Sequence, residues 1–122
     1  MAEYLPLFAP GNAVTRQASA TITGGQLVVV SGSGTVAPAS AATHSWVGVA
    51  AHDAAVGDDV TTFRMGVQRI TTSAIVTAGQ LVEPASNGRV APHTNGTNDQ
   101  NIVGLALTSA GSGALVEVKL LR

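Results

Sequence analysis

Three histidines and a short run of acids are the residues best suited to chemistry in this 122-residue chain. His52 and Asp53 form the only close pairing of a histidine with a carboxylate, and His44 and His93 stand apart in loop-like sequence. A zinc site takes three or four ligands delivered by short motifs, and isolated loop histidines do not supply them. Asp53, Asp58 and Asp59 gather near one turn, where paired carboxylates could act as general acid and base or bind calcium. The alternating oxygen ligands and closing Glu of an EF-hand loop are missing, so the three read as turn acids ahead of a strand. A Ser-His-Asp triad draws its members from distant parts of a chain, so spacing does not test it, but no Gly-x-Ser-x-Gly elbow is present. Gly32-Ser33-Gly34 lacks the Lys of a phosphate loop and reads as a hairpin turn. Asn95-Gly96-Thr97 matches a glycosylation sequon but reads as a polar loop. No catalytic residue, no metal ligand and no cofactor is expected, and the histidines read as solvated.

The elements that would hold these residues are strands. Val, Ile and Thr recur in short runs bounded by Gly, Pro and Asn. Val14, Ala18, Ala20 and Ile22 fall on one face of an extended segment, with Thr15, Gln17, Ser19 and Thr21 on the other. Ala114, Val116, Val118 and Leu120 alternate in the same way with Glu117 and Lys119, as half-buried strands do. Turn signals separate the runs, among them Gly24-Gly25, Gly57-Asp58, Asn87-Gly88 and Gly111-Ser112-Gly113. No amphipathic helix stands out, and Ala37 to Ser45 reads as a loop.

The chain repeats itself. Ile22–Pro38 (ITGGQLVVVSGSGTVAP) aligns with Val76–Pro92 (VTAGQLVEPASNGRVAP) at an offset of 54. The match resumes at Val47-Gly48-Val49-Ala50 and Val103-Gly104-Leu105-Ala106, now offset by 56. The two extra residues fall in the polar loop His93 to Asn101, where insertions belong. Each copy reads as strand, turn, strand, loop, strand, turn, strand. The fold class is therefore all-β: a single small barrel-like domain built from two pseudo-repeated β units, preceded by an extended arm. The arm covers 1–12 and the β domain 13–122, with repeat units at about 22–64 and 76–120. Met65 to Ala74 reads as a linking strand, and Trp46 and Phe63 as core.

Composition narrows the function. The formal charge is −1 and charged residues make up 11% of the chain, against about 25% in ordinary domains. Nucleic-acid binders present basic clusters; none exists here, and aromatics are too few for a base-stacking platform. No apolar run approaches a membrane span, no secretory signal is expected at the start, and there are no cysteines. A charge-poor exterior is either coated with Ser and Thr or covered by partners. Tyr4-Leu5-Pro6-Leu7-Phe8 lies ahead of the repeat; Pro6, with Pro10 beyond it, keeps the arm out of a central strand, and leaving it in water is costly. It either packs back on the barrel or docks on a partner, and docking is the expectation.

The opening MAEYLPLFAPGNAVTRQASATITGGQLVVVSGSGTVAP, the middle VGVAAHDAAVGDDVTTFRMGVQRI and the ending VGLALTSAGSGALVEVKLLR resemble the tailed-bacteriophage capsid decoration, or head stabilisation and cement, proteins of the small β-rich, lambda-like type. The resemblance covers nearly the whole chain. It implies a β-rich virion protein on the outer capsid surface, made in the host cytoplasm. Such a protein forms a homotrimer at three-fold and quasi-three-fold positions, and its partner is the major capsid protein, whose neighbouring subunits it cements. It implies no catalytic residue, and it makes Tyr4, Leu5, Pro6, Leu7 and Phe8 the segment that reaches capsid protein or a neighbouring copy. The alternatives are a small β-barrel ligand-binding or enzymatic domain using His52, Asp53, Asp58 or the loop His93 to Asn101, and a phage tail or baseplate adaptor.

Overall fold

A computed structural model describes residues 13–121. The first unit holds β1 (Val14–Ala18), β2 (Leu27–Gly32), β3 (Thr35–Pro38), β4 (Trp46–Ala50) and β5 (Asp59–Phe63). Its strand order is β1-β3-β2-β4-β5, and β5 pairs back onto β1 from Val14↔Thr62 to Gln17↔Asp59, so the sheet closes into a barrel. The second unit holds β6 (Val67–Thr71), β7 (Leu81–Ala85), β8 (Arg89–Pro92), β9 (Gly104–Ala106) and β10 (Leu115–Leu120), in the order β6-β10-β9-β7-β8. Strand for strand this is the same topology. The parallel step between β1 and β3 at Ala18↔Val36 recurs as a single parallel bridge, Thr72↔Val90, between the ends of the second sheet.

The repeat read from sequence is thus structural, down to single hydrogen bonds. Thr23 N–H donates to the Gln26 side-chain oxygen at 2.8 Å and Thr77 N–H to that of Gln80 at 2.7 Å. This is why Gln stands in both copies: its amide closes the turn that feeds β2 or β7. Gly48 and Gly104 match for a steric reason. A Cβ at Gly48 would lie 2.2 Å from the Phe63 carbonyl oxygen, and one at Gly104 would lie 2.1 Å from that of Lys119. Only glycine lets the neighbouring strand come so close.

The all-β class and the two pseudo-repeated units agree with the sequence reading. Closure, however, takes place inside the first unit and not around both copies pooled. The equivalence also reaches further back than Ile22, because Met65 to Ala74 contains β6, the counterpart of β1. At the offset of 54, VTRQA falls opposite QRITT, with no identical residue, so strand pairing alone reveals this part of the repeat.

Alternation places the core. Ala18, Ile22, Val28, Val36, Ala50, Ala54 and Val60 fill the first barrel. Their counterparts in the second unit form a larger cluster that also takes in Leu27, Ala39, Trp46 and Val49 from the outer face of the first unit. The register of β2 on β4 shifts between Val28 and Val29. That bulge turns Val47 into the first barrel while Trp46 and Val49 point out of it towards the second unit. Trp46 is buried as expected. Phe63 is 44% exposed, a correction to its reading as core: it pairs with Val49 on the outer face of β4 and β5, beyond the second unit's cover.

Candidate partner-binding surface

Tyr4, Leu5, Pro6, Leu7 and Phe8 lie outside the described residues, so the surface that the structure defines is that of the β body. The acids that the sequence singles out do not converge. The Asp53 carboxylate accepts the Gly24 N–H at 2.8 Å, and Asp58 accepts the Ala55 N–H at 3.4 Å, each within a turn. The second copy reveals what Asp53 does: at the equivalent place the Ser109 hydroxyl accepts the Ala78 N–H at 2.9 Å. A position served equally by a hydroxyl and a carboxylate needs an oxygen acceptor, not a charge or a base. His52 is exposed; its Nδ1 lies 2.9 Å from the Asp53 backbone carbonyl, and its Nε2 accepts the Thr61 N–H at 3.3 Å. It makes no ion pair with the Asp53 side chain. His44 is exposed too.

His93 departs from its reading as a solvated loop residue. Its side chain is fully buried, with Nδ1 2.8 Å from a Glu83 carboxylate oxygen and Nε2 2.8 Å from Asp99. With an ionised carboxylate on each ring nitrogen, both nitrogens must donate, which makes the ring a cation. The hydrogen bond from Asp99 raises the His93 pKa most; burial opposes it, and Glu83 adds to the rise through its own hydrogen bond and charge. The Asp99 pKa is lowered in turn, first by His93 and then by the Gly96 N–H. The carboxylates lie on opposite edges of the ring and so do not meet at one point that a metal could occupy. The cluster pins the polar loop after β8 onto β7. Sequence reasoning misses it because Glu83, His93 and Asp99 share no motif spacing; the one signal is that this loop carries the two extra residues.

Apolar side chains are exposed at several places: Val30 on β2, Phe63, Met65 and Val67 around the link between the units, Ile75, Leu115 on β10, and Leu121. Several depressions mark the first unit, one of about 250 Å³ beside Thr21, Thr23 and Asp53; two others bear on how surfaces meet. One, of about 310 Å³, runs along the joint between the units and is lined by Gln26, Thr71, Asn87, Arg89 and Leu115 among others. The other, of about 230 Å³, is the mouth of the first barrel, where Val14, Arg16, Val30, Val36 and Val47 meet the Gly32–Gly34 turn. Among the described residues, then, the surface combines scattered apolar side chains with few charges, a composition also found where protein surfaces meet.

Comparison with known proteins agrees. The model of a family described as phage cement protein matches residues 8–120. No curated protein matches the chain. Among solved structures, the N base of head fiber gp8.5 in bacteriophage phi29 superposes with a TM-score of 0.67 at 19% sequence identity, over 90% of this chain and 93% of that one, which is a likeness of fold.

Proposed function

This chain belongs to the phage cement protein family, a phage head structural protein, and we propose that it binds the outer surface of a phage capsid without catalysing any reaction. It acts as a homotrimer that cements neighbouring subunits of the major capsid protein. The observation that carries this reading is the family match across residues 8–120. Two features of the body support it. The acids best placed for chemistry are spent on turns, as the Asp53 and Ser109 equivalence makes plain. The few charges suit many copies packed side by side, where like charge would repel.

The β body over 13–122 supplies the bulk of the cement, and the arm over 1–12 supplies an anchor. Tyr4, Leu5, Leu7 and Phe8 bury their side chains against a capsid subunit or a neighbouring copy, with Pro6 keeping the segment extended. Burying one such side chain stabilises by roughly 1.5–3 kcal/mol. A trimer that anchors three arms gains further through effective concentration.

The test is add-back to heads that lack the protein. Full-length chain should co-sediment with heads and raise their melting temperature, and cryo-electron microscopy of decorated heads should place trimers at three-fold-related sites. Deleting residues 1–10 should leave the circular dichroism and melting of the free protein unchanged while weakening head binding sharply. A full-length chain that ignores heads, or binds singly at capsomer centres, contradicts the reading. Undiminished binding after the deletion moves the anchor from the arm to the body.

A further inference from the structure

We propose that the mouth of the first barrel receives the outer β7–β9 face of a second copy of this chain, so that copies join head to tail. The inference deepens the homotrimer reading above by naming the two surfaces that meet.

Its basis is a joint that the chain already makes with itself. The second unit is a sheet that the parallel Thr72↔Val90 bridge brings round into a second, nearly closed barrel, and the outer face of the first unit covers its mouth. Gly88 N–H, in the turn between β7 and β8, donates to the Ala39 carbonyl at 2.8 Å, and the Gln26 side-chain amide donates to the Asn87 carbonyl at 3.0 Å. A Cβ at Gly88 would sit 2.6 Å from the Cβ of Gln26, so the fit there is tight. Behind this contact Leu27, Trp46 and Val49 share one cluster with the second barrel's interior, where Ile70, Val90 and Val103 are 0% exposed.

The repeat shows what is left over. Counterparts of the covered residues form the first barrel's mouth: Arg16 for Ile70, Val30 for Pro84, Gly34 for Gly88 and Val47 for Val103. Pro84 and Gly88 are buried, whereas Val30 is 54% exposed and Gly34 is exposed. At the other end of the molecule, the counterparts of the covering face are Leu81 for Leu27, Ile102 for Trp46 and Leu105 for Val49. Leu81 and Leu105 are cross-strand partners, and all three are half-buried where their counterparts Leu27, Trp46 and Val49 are buried. Among the described residues there is therefore one uncovered mouth and one uncovered cover, the two halves of a joint the chain has built once.

By equivalence, Gly34 N–H and the Gln80 amide should repeat the two hydrogen bonds of the joint between copies. Such an interface uses different surfaces on its two sides, and it ends in a ring where the rotation closes and in a filament where it does not; the trimer reading requires a ring of three.

Because the chain has no cysteine, disulfide trapping tests the contact directly. Val30→Cys and Ile102→Cys chains, mixed under mild oxidation free in solution and on heads, should yield a mixed covalent dimer that neither gives alone. The chain carrying both changes should yield a closed covalent oligomer. Val30→Asp, at an exposed position that leaves the fold intact by circular dichroism, should weaken self-association in sedimentation on the order of tenfold or more. Absence of the mixed dimer both in solution and on heads overturns the proposal, as does trapping of Val30→Cys by a Leu7→Cys in the same chain, which would put the arm in the mouth. Head binding is scored separately. Wild-type chain that decorates heads without the mixed cross-link sinks this inference alone, and the cross-link without decoration sinks the capsid reading alone.

Discussion

Replacing Thr62 with Val should stabilise the protein. Thr62 lies on β5 between Val14 of β1 and Ala50 of β4, with no exposed surface, and its hydroxyl has no hydrogen-bond partner among the described residues. A buried, unpaired hydroxyl costs about 1–3 kcal/mol. Val has the same shape, so the change leaves no cavity and causes no clash, and the repeat has already made it. Val118 holds the matching place on β10, between Gln68 of β6 and Ala106 of β9, with 0% exposure. The expected gain is about 1–2 kcal/mol, or some 3–6 °C in melting temperature per kcal/mol for a chain of this size. The mirror change, Val118→Thr, should cost about 1–3 kcal/mol by introducing the same unpaired hydroxyl. The sites lie in different barrels, so the double variant should return to within about 0.5 kcal/mol of the two changes added. Urea unfolding and calorimetry on the three variants measure all of this. Destabilisation by Thr62→Val beyond about 0.5 kcal/mol would mean the hydroxyl has a partner, and a neutral Val118→Thr would show that the two interiors are not equivalent; either result refutes the reasoning.

The His93 cluster makes stability depend on pH at both ends. The raised His93 pKa contributes stability that is fully present below its ordinary value of 6.5 and is lost as pH rises through the higher folded value. The lowered Asp99 pKa contributes stability present above 3.8 and lost as pH falls through the lower folded value. Wild-type protein should therefore unfold at less denaturant at pH 8.5 than at pH 6, and His93→Ala, which restores the residue found at Ala39, should flatten that slope; an unchanged slope would assign it to other groups. Gly104→Ala should be among the worst single changes, at or above the usual 1–3 kcal/mol for overpacking, because the new Cβ meets the Lys119 backbone carbonyl first and the buried Val118 side chain next. Normal melting of that variant would show that β9 and β10 can separate freely. Asp53→Ser should leave both stability and head binding within about 0.5 kcal/mol of wild type, since Ser109 does the same job in the second copy; a large loss in head binding would give the Asp53 carboxylate a role in contact.

What can be read from the sequence is what repeats or alternates. The period-two pattern locates Val14 to Ile22 and Val116 to Leu120, and the copied turn locates the entry to β2 and β7. Closure is not legible, because pairing of β1 with β5 depends on where chain ends meet and leaves no mark at any one residue. β6 reads as a linker because equivalent barrel strands share inward volume more than identity, and Arg16 against Ile70 hides even that. Phe63 misleads because an aromatic in a strand pattern says nothing about which face a second unit will cover. The cluster around His93 escapes because it is assembled from a strand, a strand end and a turn. The arm residues Tyr4 to Phe8 are an assignment from resemblance and chemistry, outside the described residues.

Closure within the first unit also bears on how the chain is made. Every strand of the first barrel has been synthesised once Phe63 leaves the ribosome, and domains tend to fold from the N-terminus as they emerge. The first barrel can therefore complete its ladder while the second is still being translated. During that interval Leu27, Trp46 and Val49 face water, waiting for the cluster that later buries them. A first unit folded at that stage has an apolar outer wall, and the second unit of the same chain is what buries it. The order of the two copies along the chain thus matters: the unit that serves as cover is built first, and the unit that needs covering emerges onto a surface already in place.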